Sequence, residues 1–143
     1  MVDRYKTFTV LISNISRKIK KLKTAEMAKL NLKSTHVSCI YYLYEKDSLT
    51  VGELCEICNE DKANLSRSIE YLKENGYIEN AFVNSKRYKA PLMLTEKGRE
   101  IGKSLSERVK GVLVEASQGL KEEERNIMYK CLELIDNNLQ RIK

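Results

Sequence analysis

The feature that most constrains the fold of this chain is a pair of short helical patterns separated by three residues, Asn59 to Asp61. The first pattern, "VGELCEIC", follows Thr50 and has Glu53 three residues beyond that threonine, which is the spacing of a capping box. The second, "KANLSRSIEYLKE", follows Asp61, whose carboxylate can cap a helix and suits its positive end. Two short helices joined by a tight turn predict a helix-turn-helix.

The second helix of this pair has two contrasting faces. Leu65, Ile69 and Leu72 keep a helical apolar spacing and are expected to pack on the core. The other face of its first two turns is small, polar or cationic, and consists of Lys62, Ala63, Asn64, Ser66 and Arg67. In a helix-turn-helix such residues meet base edges in the major groove, where Asn can read adenine and Arg can read guanine or hold a phosphate. We predict that these five residues bind DNA; taken alone, the pattern also suits a solvated helix face.

A basic hairpin is predicted directly after this helix. Beyond Gly76 the period changes, and "YIENAFV" and "APLMLT" read as short strands with "NSKRYK" between them. The predicted tip carries Lys86, Arg87 and Lys89. Residues 84–99 hold five cations against one carboxylate, a net charge of +4 beside +6 for the whole chain. We expect the tip of this wing to contact phosphates or the adjacent minor groove.

Long amphipathic helices are predicted on either side of this compact middle. Residues 4 to about 23 repeat apolar side chains in steps of three and four, Thr95 is placed to cap a long helix, and "LKEEERNIMYKCLELIDNNLQRIK" forms the last helix. Their apolar stripes must be buried against another surface, and a second copy of the chain would supply that surface through a two-fold interface. The alternative is a monomeric bundle. The expected organisation is an N-terminal dimerisation helix and linker in 1–32, a DNA-binding lobe in 33–98 and C-terminal dimerisation helices in 99–143.

Composition narrows the function classes. A net charge of +6 suits an anionic partner such as nucleic acid. No window approaches 18 uninterrupted apolar residues, and the N-terminus lacks the features of a signal peptide, so a cytoplasmic location without membrane association is expected. With one histidine and no visible nucleophile–base set, the sequence does not favour an enzyme.

The cysteines offer a second kind of chemistry. Cys55 and Cys58 form a C-x-x-C pair, but a structural zinc site usually needs two such pairs, and His36 and Cys131 stand apart. We therefore predict neither a metal nor a cofactor. Core packing is the expected role of Cys55, Cys58 and Cys39, and a thiol-based redox sensor using Cys55 and Cys58 is the alternative.

At this point the sequence resembles the MarR-type winged-helix transcription regulators over nearly its whole length. The central block "LTVGELCEICNEDKANLSRSIEYLKENGYI" is similar to the family's helix-turn-helix almost position for position. "LKSTHVSCIYYL" resembles the family's preceding helix, "LMLTEKGREI" its strand-to-helix junction, and "GLKEEERNIM" the start of its last helix. There are departures: His36 and Lys33 replace a common Gln and Thr, and the wing lacks the family's frequent Asp-x-Arg.

The resemblance implies a mainly α fold, namely a winged helix-turn-helix with a small β-hairpin wing and dimerisation helices at both ends. It also implies a homodimer on a palindromic operator, commonly a repressor released by a small-molecule effector bound between lobe and dimer helices. By position, Arg67 matches the family's common recognition-helix arginine, and Asn64 and Ser66 fall on base-facing positions. Candidate effector-pocket residues are His36, Tyr41, Ile12 and Ile15. The alternative function is a winged-helix module that binds another protein.

Overall fold

The computed structural model describes residues 3–4, 6–81 and 90–142 of the chain. A π-helical segment, Lys6–Leu11, leads into the first α-helix, and a 3-10 turn, Ala28–Leu30, precedes the second. The α-helices are α1 (Ile12–Thr24), α2 (Ser34–Lys46), α3 (Val51–Cys58), α4 (Lys62–Glu74), α5 (Glu96–Ala116) and α6 (Glu122–Arg141). The strands are β1 (Ile78–Asn80) and β2 (Leu92–Leu94). The described residues thus form the mainly helical fold that the sequence predicts.

The chain divides into two compact units, Met1–Lys110 and Gly111–Lys143, with the boundary inside α5. This boundary separates compact units and does not test the role of each segment. The predicted division into 1–32, 33–98 and 99–143 therefore stays a prediction. Among the described residues, no helix combines the length and apolarity that crossing a membrane requires.

The core of the first unit lies where α2, α3 and α4 meet the two strands. Its fully buried side chains are Val37, Cys39, Ile40, Leu43, Leu54, Leu65, Leu72, Leu92 and Leu105. Apart from Leu92 in β2, these are the inward positions of the helical patterns, so the apolar spacing in the sequence sets which face of α2, α3 and α4 turns to the core.

The sheet is small and fixes the base of the predicted wing. β1 and β2 pair antiparallel with Ile78 opposite Leu94 and Asn80 opposite Leu92. Leu92 also forms a bridge with Leu49, which ties the residues before α3 to the sheet. Each strand has three paired residues among those that the structure describes, and Phe82 and Val83, which "YIENAFV" also includes, lie outside them.

The predicted helix caps are confirmed at three of four starts. Thr50 and Glu53 form the reciprocal capping box of α3, the Asp61 carboxylate caps α4, and the Thr95 hydroxyl accepts the Gly98 N–H at the start of α5 at 3.1 Å. The sequence also offers the hydroxyl of Ser34 or Thr35 as the cap of α2, since either can accept a backbone N–H, and this prediction is wrong. Helix α2 starts at Ser34 itself, and its capping residue is Lys33, whose backbone N–H donates to Nδ1 of His36 at 3.0 Å.

The outer helices expose apolar side chains. In the first unit Phe8, Ile12 and Ile15 recur in steps of four and three along one stripe, Leu22 follows seven residues later, and each is at least 42% exposed. In the second unit α6 has no buried residue, and Met128, Leu132 and Leu139 share one stripe of its surface.

Candidate nucleic-acid interface

Helix α4 sits in the fold with the orientation that its sequence predicts. Leu65, Ile69 and Leu72 are buried, together with the small Ser68. Lys62, Ala63, Ser66 and Arg67 are exposed, and Asn64 is half-buried. The structure thus brings all five α4 residues that we predicted to bind DNA to the first two turns of one helix, four of them fully at the surface.

The cations on this surface are available to a ligand. Within the described part of the chain, the side chains of Lys62 and Arg67 have no hydrogen-bond or ion-pair partner. Positive charge at the first turn of a helix adds to the positive end of the helix dipole, and the two together favour an anion such as a phosphate.

The turn before α4 holds the start of the helix in place. Asn59 ends α3 in the left-handed conformation, with φ of 54°, which an asparagine adopts more readily than most residues. Asp61 then accepts the backbone N–H of Asn64 at 2.8 Å. The first turn of α4 is therefore fixed by its own sequence before any ligand binds.

Glu60 is the site residue that sequence reasoning missed. Its carboxylate accepts the side-chain amide of Asn64 at 2.8 Å and the hydroxyl of Thr35 at 3.3 Å. It therefore ties the start of α2 to the start of α4 and orients the Asn64 amide. The only sequence signal is its spacing of four residues from Asn64, which helices and their caps commonly use.

The predicted wing tip, with Lys86, Arg87 and Lys89, lies outside the described residues. The described base of the hairpin is joined firmly to α4 and α5. Lys97 donates to the carbonyl oxygen of Asn75 at 2.8 Å and lies over the ring of Tyr77 at 4.4 Å.

A cleft of about 880 Å³ opens beside α4 within the first unit. Its lining comes from the segment before α2, the start of α2 and the flank of α4, and includes Lys33, Ser34, His36, Arg67 and Tyr71. His36 and Tyr71 stack with ring centroids 4.3 Å apart. Burial, followed by the nearby Lys33 cation, lowers the pKa of His36. The hydroxyl of Ser34 is buried and has no hydrogen-bond partner among the described residues.

The structure does not bring the four candidate effector residues together in this cleft. His36 lines it, whereas its lining includes none of Tyr41, Ile12 and Ile15. Tyr41 is half-buried beside Lys23, whose ammonium lies 5.2 Å from the tyrosine ring centroid. Ile12 and Ile15 lie on the exposed stripe of α1.

In the described ranges, no group of three or more histidine, cysteine, aspartate or glutamate side chains is arranged to hold a metal ion. Cys39 is buried in the core as predicted, and Cys55 and Cys58 are half-buried against it.

Comparison with known proteins finds a family model that resembles part of this chain. Residues 30–83 match the family model described as the MarR family. No curated protein matches the sequence closely enough to count as a relative.

Solved structures match the chain over nearly its whole length. A MarR-family regulator of Listeria monocytogenes, solved with a 26-mer DNA, is 23% identical with a TM-score of 0.82, over 97% of this chain and 90% of that one. A MarR/EmrR-family regulator of Acinetobacter sp. ADP1 is 22% identical with a TM-score of 0.81, over 99% and 100% of the two chains. A MarR regulator of Methanosarcina mazei Go1 is 18% identical with a TM-score of 0.81, over 99% and 95%. At these identities the likeness establishes a shared fold.

Proposed function

We propose that this chain, a winged-helix protein of the MarR type, is a cytoplasmic transcription regulator that binds double-stranded DNA as a homodimer. The observation that carries the proposal is the orientation of α4. Its apolar residues are buried, while its first two turns present Lys62, Ser66 and Arg67 to solvent on a helix start fixed by Asp61. Such a helix can enter a major groove without rearrangement.

The exposed apolar stripes support the dimer. Phe8, Ile12 and Ile15 of the N-terminal segment, and Leu132 and Leu139 of α6, are large side chains left in solvent by the isolated chain. Complete burial of such a side chain is favourable by roughly 1.5–3 kcal/mol. Each of these is about half exposed, so a two-fold interface would add about half of that stabilisation at both copies of every one. We assign residues 1–32 and 99–143 to this interface and residues 33–98 to the DNA-binding lobe.

A two-fold dimer implies a palindromic operator. The two α4 helices would meet successive major grooves about 34–36 Å apart, one turn of DNA. The wing residues Lys86, Arg87 and Lys89 would add phosphate contacts beside each α4. The resemblance to the family favours a repressor, which blocks transcription while it occupies the operator.

The cleft beside α4 is the best-supported effector site. Lys33 and Arg67 supply positive charge, the stacked His36 and Tyr71 supply an aromatic wall, and the Ser34 hydroxyl is an unused polar group. A small aromatic carboxylate matches this set of groups. Because Arg67 belongs to both surfaces, such a ligand and operator DNA would compete for one side chain.

The test of DNA binding begins with selection of duplexes from a random library, followed by fluorescence anisotropy at increasing salt. We expect affinity for the selected duplex to fall steeply with salt, because phosphate neutralisation releases condensed counterions. Replacing Lys86 and Arg87 by alanine should reduce the slope of log K against log salt by roughly one unit per lost phosphate contact. A Lys121→Ala/Lys130→Ala variant, altered on and just before α6, is the control and should keep the slope. Failure to enrich any duplex would favour the protein-interaction module instead.

The effector proposal has its own experiment. Calorimetric titration with 4-hydroxybenzoate, with and without the selected duplex, should show that each ligand weakens the other by the same factor, because coupling between two binding sites is reciprocal. Tyr71→Ala should weaken binding of the carboxylate. Equal affinity with and without DNA would contradict the proposed competition.

A further inference from the structure

The turn that leads into α4 carries a carboxylate on the surface that we expect to face DNA. Glu60 is half-buried there, two residues before the exposed Lys62. A negative charge beside a duplex repels its phosphates and so weakens binding. The position of Glu60 therefore calls for an explanation other than attraction to DNA.

Each oxygen of the Glu60 carboxylate accepts one hydrogen bond. Oε2 accepts the side-chain Nδ2 of Asn64 at 2.8 Å, and Oε1 accepts the Thr35 hydroxyl at 3.3 Å. The first bond reaches α4 and the second reaches the start of α2. Because two helices hold the carboxylate in place, Glu60 is a fixed acceptor that cannot readily leave to contact a base itself.

A fixed carboxylate decides which way the Asn64 amide points. An ionised carboxylate only accepts hydrogen bonds, so the NH2 group of Asn64 turns toward Glu60 and its Oδ1 turns away. One N–H of Asn64 is used by Glu60, while the second N–H and Oδ1 remain for a ligand. Asn64 is half-buried, so part of this amide is open to solvent. Its free edge offers one donor and one acceptor in a fixed order.

Adenine is the base that matches such an edge in the major groove. It presents the acceptor N7 beside the donor N6 amino group, and an asparagine amide can bond to both. Guanine presents two acceptors, cytosine a donor, and thymine an acceptor beside a methyl group. An amide that could turn freely would also donate to the guanine acceptors. Fixing the orientation of Asn64 therefore narrows the choice from purines to adenine.

We propose that Glu60 is a positioning residue that makes α4 selective for adenine through Asn64, at a cost in overall affinity for DNA. This inference rests on the proposed function and deepens it, since it names the base that Asn64 contacts and the residue that orients Asn64.

Removal of the carboxylate should change two quantities in opposite directions. The affinity for unrelated DNA should rise, because a charge that repels phosphates is lost. Discrimination between adenine and guanine should fall, because the Asn64 amide can then turn. A residue that merely stabilised the fold would not raise one quantity while it lowered the other.

Two substitutions separate the hydrogen bonds of Glu60 from its charge. Glu60→Ala removes both. Glu60→Gln removes only the charge, because the glutamine oxygen can still accept the Asn64 amide while its NH2 group donates to the Thr35 hydroxyl. Glu56→Ala is the matched control, since it removes one carboxylate from an exposed position on α3.

The experiment selects duplexes with the full chain and identifies the A·T pair whose preference is lost in Asn64→Ala. Competition binding then compares the selected duplex with one that carries G·C at this position. The unchanged protein, Glu60→Gln and Glu56→Ala should prefer A·T by roughly 5- to 150-fold, the discrimination that one two-bond contact gives. Glu60→Ala should lose this preference as fully as Asn64→Ala, and it should bind an unrelated duplex more tightly than the unchanged protein.

Three results of this competition would overturn the proposal. The first is an adenine preference that survives in Glu60→Ala. The second is its equal loss in Glu60→Gln, which would assign the effect to charge alone. The third is an Asn64→Ala variant that keeps every base preference of the unchanged protein.

A measurement on the free, unchanged protein does not depend on how any variant folds. NMR relaxation of the Asn64 side-chain amide reports its mobility, and we expect this amide to be as ordered as the backbone of α4. A freely moving amide would overturn the proposal even if the protein binds DNA. An ordered amide in a protein that enriches no duplex would contradict the proposed function, and with it the recognition of adenine, while the orienting role of Glu60 would stand.

Discussion

At the scale of single residues, the proposed interface depends on two kinds of side chain at the start of α4, those that hold the helix start in place and those that are free to contact DNA. Asp61 and Glu60 use their carboxylates to hold the backbone and the Asn64 side chain, whereas Arg67 has no partner among the described residues. Asn64 is therefore already oriented by the protein, and Arg67 is the side chain most free to make a new contact.

Replacing Arg67 by alanine should weaken binding to the selected duplex by about 1–3 kcal/mol, because one base or phosphate contact is lost. Fluorescence anisotropy at fixed salt measures it. Lys73→Ala is the matched control, since it removes one charge from an exposed position in the last turn of the same helix. Equal losses of DNA affinity in the two variants would mean that α4 contributes to binding only through its net charge and that Arg67 makes no specific contact.

His36 should make folding stability depend on pH. Burial lowers the pKa of His36, and a proton on Nδ1 would break the hydrogen bond from the Lys33 N–H. The unfolded chain then binds the proton more readily than the folded one. Stability is full above the ordinary histidine pKa of about 6.5 and falls as pH drops below it, by at most about 1.4 kcal/mol per pH unit.

Urea unfolding between about pH 7.5 and pH 5.5 measures this dependence. The chain has one histidine, so His36→Gln removes every imidazole while glutamine can still accept the Lys33 N–H. The variant should lose most of the slope in this range. An unchanged slope would mean that carboxylates alone produce the pH dependence.

At the scale of helices and strands, capping and periodicity were enough to place most of the fold. Asp61, Thr50 and Thr95 each cap the helix that the sequence assigns to them, because a side-chain acceptor beside an apolar repeat is a local signal. The start of α2 was misplaced because His36 supplies the capping acceptor from inside the helix, a role that the common pattern gives to Glu or Gln.

The contacts that the sequence could not reveal join residues far apart in the chain. The hydrogen bond between Thr35 and Glu60 spans 25 residues, and the one from the Tyr71 hydroxyl to the carbonyl oxygen of Asn31 spans 40. Neither has a periodic pattern. The α4 surface could be predicted because it is one helix, whereas the cleft could not, because its walls come from three segments.

The junction between the sheet and α5 should tolerate no side chain at Gly98. A Cβ there would collide with the carbonyl oxygen of Tyr77 and lie 3.1 Å from Cδ2 of Leu94. Gly98→Ala should therefore lower the free energy of unfolding by about 1–3 kcal/mol, as overpacking usually does.

Chemical denaturation measures this loss, and Gly52→Ala in α3 is the control. A Cβ at Gly52 meets only the Thr50 hydroxyl at 3.9 Å, so that variant should change stability by no more than about 1 kcal/mol, in the stabilising direction. If the two alanine variants were equally stable, the close approach of α5 to Tyr77 would be in doubt.

At the scale of the whole molecule, the proposed function requires two copies of the chain. The apolar stripe of α6 is exposed in the isolated chain, and in the proposed complex the lobe of one copy would read only half of a palindromic operator. The affinity for DNA and the dimerisation of the chain should therefore change together.

Replacing Leu132 and Leu139 by lysine should convert the dimer into monomers in sedimentation velocity, because it puts charge at the centre of the stripe. DNA affinity should fall when the dimer is lost, although neither substitution lies in α4. Asn137→Lys, on the same helix but off the stripe, should leave the dimer intact. A double variant that remained dimeric would place the interface elsewhere.

We infer that two α4 helices enter successive major grooves of one duplex, and hydroxyl-radical footprinting of the complex on the selected DNA distinguishes this arrangement from binding by one chain. We expect two protected regions related by a two-fold axis, with centres about 10–10.5 base pairs apart. A single protected region with one chain bound per duplex would contradict it.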